Sequence, residues 1–179
     1  MPLALLGKNV PKHTAQSFVT QVIEPVLCRL TEIPFSAAAA QLLLGTALHE
    51  SGGLKFRRQL GSGPARGLFQ MEPATHNDLW KNFLAFKKPL AAEVEALLSA
   101  PGADKVAELE TNDNYAAAMA RVHYWRAPAA LPKAGNTTGQ ATYWKRYYNT
   151  PLGKGTPKKY LDDYALHGGG AVTFRSSCP

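Results

Sequence analysis

The sequence predicts a mainly α-helical protein, one domain over residues 1–179, with a small irregular β-hairpin or loop region. Three observations carry this. From Ser36 to Leu48 the chain reads SAAAAQLLLGTAL, polar only at Ser36, Gln41 and Thr46. A helix that apolar on every side belongs in a core. Other apolar-periodic segments follow capping residues such as Thr14 and Thr156 and stop at glycine or proline. A length of 179 residues supports a single sizeable core, and no repeat, low-complexity block or linker divides it.

In order, Thr14 caps a helix carrying Phe18, Val22 and Ile23. Pro25 should kink it or restart it before Val26–Leu30. Pro34 and Ser36 open the apolar helix, and Gly52-Gly53 close it through the left-handed cap conformation. Residues 54–72 read as loop or short hairpin, with Gly61-Ser62-Gly63-Pro64 as turn chemistry. Pro73-Ala74-Thr75 starts a short helix through Trp80. Pro89–Leu98 and Ala103–Leu109 read as amphipathic helices, separated by Pro101-Gly102. Asn112 or Asn114 caps a helix to about Arg126, with Ala116, Met119, Ala120 and Val122 apolar. After a loop at 127–138, Gln140–Tyr148 is helical, and Thr156-Pro157 starts a last helix through Leu166. The glycine-rich segment 167–179 reads as a loose tail.

The formal charge of +7 favours a polyanionic partner. The basic residues are scattered, in groups such as Lys55-Phe56-Arg57-Arg58 and Lys158-Lys159, and form no dense stripe. That argues against nucleic acid. Cys28 and Cys178 have no neighbours at metal-ligand spacing, so no metal or other cofactor is expected. A bridge from the tail to the first helical region is one option for them; unpaired thiols are the favoured reading. No run reaches transmembrane length, and MPLALLGKN lacks the basic region and the apolar length of a secretory signal. A monomer is expected.

Glu50 is the candidate for chemistry. At the end of an apolar helix it sits at the edge of the core, where desolvation raises a carboxyl pKa. Such a carboxyl gives a proton near neutral pH, as the acid of glycoside cleavage must. Leu43, Ala47 and Glu50 share a helix face. The loop Gly67-Leu68-Phe69-Gln70 would bring backbone close to a ligand, with Gln70 offering a donor and an acceptor. The alternative is an ordinary surface glutamate, although the helix dipole disfavours a negative charge at a C-terminus.

The run Ala47-Leu48-His49-Glu50-Ser51, followed by Gly67-Leu68-Phe69-Gln70-Met71-Glu72-Pro73-Ala74-Thr75, resembles the soluble-type lytic transglycosylase domain. That family pairs a Glu-Ser at the end of a buried helix with a Gly-Leu-Met-Gln loop and a Pro-x-Thr. Its third motif, Ala-Tyr-Asn-Ala-Gly, is matched more loosely by Tyr148-Asn149. The likeness covers about residues 36 to 155, and residues 80 to 110 look like an insertion. The phrase from Phe56 to Trp80 also resembles such proteins encoded by bacteriophages.

The resemblance implies a lysozyme-like helical fold and cleavage of bacterial peptidoglycan. Glu50 would protonate the glycosidic oxygen between N-acetylmuramic acid and N-acetylglucosamine. It would then take a proton from the muramoyl C6 hydroxyl as that group attacks C1, leaving an anhydromuramic end. One carboxyl suffices because the nucleophile belongs to the substrate; ordinary glycosidases use two. Ser51 would orient Glu50 or touch substrate, and Gln70, Tyr148 and Asn149 would hold sugar substituents. Goose-type lysozymes carry an acidic residue just after a similar loop, so Glu72, or else Asp78, is the candidate second carboxylate of a hydrolytic muramidase. The competing role for Glu72 is a helix-start glutamate favoured by the dipole. The string His49-Glu50-Ser51-Gly52-Gly53 is also similar to family-19 chitinases. Those place a second catalytic glutamate before the glycine-rich loop, and no acidic residue lies between Glu50 and Gln70. His49 points elsewhere on the helix and is expected to be structural or to support the site through a neighbour. Met71, Tyr124-Trp125 and Tyr143-Trp144 are expected to pack in the core or at its rim. A phage protein would reach the wall in the virion, or from the host cytoplasm at lysis. A wall-binding or virion structural protein without activity is the reading from another class.

Overall fold

The computed structural model describes residues 11–149 and 152–179, so the reading of the first nine residues as no secretory signal lies outside the described residues. The chain is mainly helical. The first helix, α1 (Ala15–Phe18), begins with a capping box: the Thr14 hydroxyl accepts the Ser17 N–H and the Ser17 hydroxyl accepts the Thr14 N–H. It runs through one π turn (Val19–Ile23) into α2 (Glu24–Arg29). The π turn answers the Pro25 problem. Proline has no N–H to donate and its ring crowds the preceding turn, and a wider turn before it relieves both. The helix therefore continues where the sequence suggested a kink or restart.

The apolar run forms α3 (Ala37–Glu50), opened by the Ser36 hydroxyl accepting the Ala39 N–H at 3.1 Å. Residues 39–48 of α3 are all buried. It packs against α1, α7 (Asp113–Trp125), α8 (Thr137–Trp144) and α9 (Pro157–Leu166). Gly45 makes the α9 crossing: a Cβ there would lie 2.0 Å from the Tyr160 hydroxyl. The helix stops at Ser51, and the Gly53 N–H returns to the Leu48 carbonyl at 2.8 Å. That is the six-to-one bond of a Schellman cap, with Gly52 and Gly53 both at positive φ.

Between α3 and α4 (Pro73–Asn82) the expected hairpin is reduced to two isolated bridges, Arg58 with Arg66 and Arg66 with Met71. The segment from about 80 to 110 contributes α5 (Lys88–Glu95) and α6 (Lys105–Thr111). It belongs to the core through Leu84, Leu90, Val94, Leu97 and Leu109. Asn112 is the cap of α7, its side chain accepting the Tyr115 N–H. Arg57, from one of the scattered basic groups, is a structural ion-pair residue. It meets both oxygens of the buried Asp113 carboxylate, at 2.6 and 2.9 Å.

Two expectations are corrected. The segment after His167 is not loose. Thr173 exchanges hydrogen bonds with Gln16, the Arg175 N–H meets the buried Glu24 carboxylate at 2.7 Å, and Gly169 is buried. Cys28 and Cys178 are joined as a disulfide across 150 residues of sequence, where free thiols were favoured. Glycine content marked the tail as weak in local preference, but its partners lie at the other end of the chain. No helix among the described residues is long and apolar enough to cross a membrane.

Candidate active site

The end of α3, the loop 52–72, the C-terminal half of α7 and the turn after α8 enclose a cleft of about 880 Å³. Glu50 lines it. Among the described residues its carboxylate accepts one hydrogen bond, from the Trp144 indole N–H at 2.9 Å. Trp144 has no exposed surface and stacks on Tyr160 with ring centroids 5.3 Å apart, so this donor is fixed in place. Burial pushes the Glu50 pKa up from 4.5 to about 7, and the Trp144 bond only partly offsets it. The side chain therefore keeps its proton close to neutrality.

The second wall is the loop 67–71. Gly67 has φ +76°, and a Cβ on it would lie 1.9 Å from the Leu109 carbonyl oxygen, so backbone packs where a side chain would. Gln70 is held at φ +46°, a left-handed conformation uncommon for a residue with a side chain. Its backbone N–H and its side-chain Nε2 both donate to the Gly67 carbonyl, at 3.0 and 2.9 Å. The amide oxygen of Gln70 is left without a protein donor among the described residues, on the cleft wall. Strain of this kind concentrates at functional sites. Met71, as expected, is buried with the core cluster, and it also borders the cleft.

The third wall is a π turn, Lys145–Asn149, that extends α8 and delivers Tyr148 and Asn149 to the cleft. The Tyr148 hydroxyl donates to the Phe69 carbonyl at 2.7 Å, clamping this turn to the loop 67–71. The Asn149 amide oxygen accepts from Lys145 at 2.8 Å, which leaves its N–H₂ as the group to offer a ligand.

The expected residues do not all converge. Glu50, Gln70, Tyr148 and Asn149 share the cleft, and Glu72 lines it too, exposed, as the N-cap residue of α4. Ser51 does not face it. Its side chain is fully buried, donating to the Ala47 carbonyl at 2.6 Å and accepting the Leu54 N–H at 2.8 Å. Both hydroxyl functions build the turn after Glu50, so the substrate contact expected of Ser51 is not available. Asp78 does not line the cleft either. It is bound by Arg126 at 2.5 Å and by Asn82 at 2.6 Å, and these bonds hold its carboxyl below the usual range.

Two cleft residues were not among the expected site residues. His123, on α7, stands edge-on to Tyr148 with centroids 5.0 Å apart, and burial lowers its pKa to about 4. His49 lines the cleft beside Glu50. Its Nδ1 meets the Asp163 carboxylate at 2.7 Å, and its ring stands edge-on to Trp144 at 4.5 Å. A histidine next to the candidate acid was the only signal in the sequence; Asp163 lies 114 residues away and could not be paired with it by spacing. At the mouth, Phe56, Leu60 and Leu152 expose apolar surface, Leu152 almost completely.

No protein-family model matches the chain, and no curated protein or solved structure matches it significantly. Among the described residues no three His, Cys, Asp or Glu side chains gather as a metal site.

Proposed function

We propose that the protein is a peptidoglycan lytic transglycosylase with a lysozyme-like fold and Glu50 as its acid. The observation that carries this reading is a carboxyl raised to about 7 in a cleft, at the end of a buried helix. A proton held near neutrality is what protonation of a glycosidic oxygen requires. The cleft is open and lined by both polar and apolar side chains, with the Gln70 amide oxygen and the Asn149 amide N–H₂ unpaired among the described residues, groups suited to acetamido and hydroxyl substituents. In this mechanism the Glu50 proton passes to the oxygen leaving C1. The muramoyl C6 hydroxyl closes on C1 and gives its proton to the Glu50 carboxylate, leaving the anhydromuramic end and consuming no water. The chain's +7 charge suits the anionic wall polymer.

A second reading rests on Glu72, the other carboxylate lining the same cleft. Exposed and without a hydrogen-bond partner among the described residues, it is free to hold a water for hydrolysis.

The products decide between the two. Mass spectrometry of muropeptides released from purified peptidoglycan should show anhydromuramic ends; reducing ends would assign the protein to hydrolysis. Glu50→Gln should lower release by ~10²-fold or more while leaving the fold intact. Undiminished release by that variant would sink the assignment of Glu50. Under the transglycosylase reading, Glu72→Gln should leave the product type unchanged.

A further inference from the structure

His49 has the features of a working side chain rather than a structural one. Its Nδ1 is engaged by Asp163, whose own carboxylate also pairs with Lys159 and is itself buried. Its Nε2 has no partner among the described residues and is not one of the sealed polar atoms. The side chain keeps 12% of its surface exposed, and it lines the cleft. With Nδ1 engaged, Nε2 is the ring nitrogen left to meet a ligand in the cleft. An imidazole whose Nδ1 bonds a carboxylate is fixed in orientation and tautomer, with Nε2 as acceptor.

We propose that His49, oriented by Asp163, is a second catalytic residue of this cleft: the base that takes the proton of the attacking hydroxyl while Glu50 protonates the leaving oxygen. This rests on the reading of the cleft as a glycoside-cleaving site and divides between two residues the work otherwise given to one.

The environments of the two groups support the division. Burial holds Glu50 protonated and disfavours the charged form of His49, so one is an acid and the other a base at the same pH. The groups facing His49 are Asp163 and Lys159 on α9, with the Tyr160 ring at 6.0 Å, Trp144 on α8 and Glu50 next in sequence. Asp163 favours the imidazolium; Lys159 and burial oppose it, and burial is the largest effect.

In the step itself, the C6 oxygen forms its bond to C1 and its proton moves to Nε2 of His49. The bond from C1 to the bridging oxygen breaks, and that oxygen receives the Glu50 proton. The imidazolium then returns its proton to the Glu50 carboxylate through solvent in the open cleft. Both groups finish as they began.

The test compares wild type, Glu50→Gln, His49→Gln and Asp163→Asn on purified peptidoglycan across pH, with ¹⁵N NMR of the His49 ring in the wild-type protein. His49→Gln should lower kcat by ~10²- to 10⁴-fold with a smaller change in KM, and should remove the acid limb of the pH profile. Asp163→Asn should lose part of the rate. The ring should be neutral and protonated on Nδ1 at pH 7, gaining its second proton below the ordinary histidine range. An imidazolium at pH 7 would overturn the proposal, even if His49→Gln fails to fold, because a protonated ring accepts nothing. So would a folded His49→Gln that keeps its rate and its acid limb. If wild type releases no muropeptides, or Glu50→Gln stays active, the glycosidase reading itself fails. If Glu50→Gln is inactive while His49→Gln works normally, only the base assignment falls.

Discussion

Glu50 is held between burial, which favours its protonated form, and the Trp144 N–H, which favours the carboxylate. Burial wins, and a pKa raised in the folded state makes stability depend on pH. Below 4.5 the folded and unfolded chains both carry the proton. Between 4.5 and about 7 only the folded state keeps it, so stability falls as pH rises through that window. The full loss is about 3 kcal/mol. Glu50→Gln should remove this dependence, so in urea unfolding it should gain on wild type at about pH 8 and not at about pH 4. The position of Glu50 was legible because an apolar run ending in a charge announces a carboxylate at a core edge. Of the two roles expected of Ser51, the substrate contact is closed to it because being next to Glu50 in sequence says nothing of direction: one residue further along, the chain has turned back into the protein, where Ser51 holds the turn that follows Glu50. The place of His49 on the cleft wall was hidden for a related reason, since its partner Asp163 comes from α9.

At the scale of elements, the cleft depends on a loop and a turn with little regular structure. The loop 67–71 is shaped by what it cannot accommodate. At Gly67 an added Cβ meets both a positive φ and the Leu109 backbone. Gly67→Ala should cost ~1–3 kcal/mol for the backbone conformation alone, with the clash adding to it. Chemical denaturation should show that loss, together with weaker binding of glycan as Gln70 shifts. The glycine-rich character of the loop could be read from sequence; the left-handed Gln70 could not, because glutamine has no preference for that conformation. The π turn at Lys145–Asn149 was likewise hidden: a single widened turn leaves no periodic mark in five residues. The main helices were legible from their caps at Thr14, Ser36, Asn112 and Thr156, each of which bonds the expected backbone N–H.

At the scale of the molecule, the helical region from Ala15 to Arg29 is tied to the C-terminal segment. The N-terminal helices and the C-terminal segment are held by the Gln16–Thr173 and Glu24–Arg175 hydrogen bonds and by the disulfide. The disulfide was an option but not the favoured one, and the two hydrogen-bond pairs were not legible at all, since each joins residues more than 140 positions apart that have no local signature. Replacing Cys28 by serine should destabilise the fold by about 2–5 kcal/mol in urea unfolding, the range for a bond closing so long a loop. The effect on muropeptide release at moderate temperature should be small, because neither cysteine lines the cleft.

The Cys28–Cys178 bond also makes the chain between them a covalent ring, and Glu50, His49, Gln70, Tyr148 and Asp163 all belong to that ring. One cut of the backbone inside it, for instance in the exposed stretch near Ala129-Ala130, opens the ring without releasing a fragment. Both halves of the cleft stay tethered after a first proteolytic nick. Separation takes a second cut or a reductant.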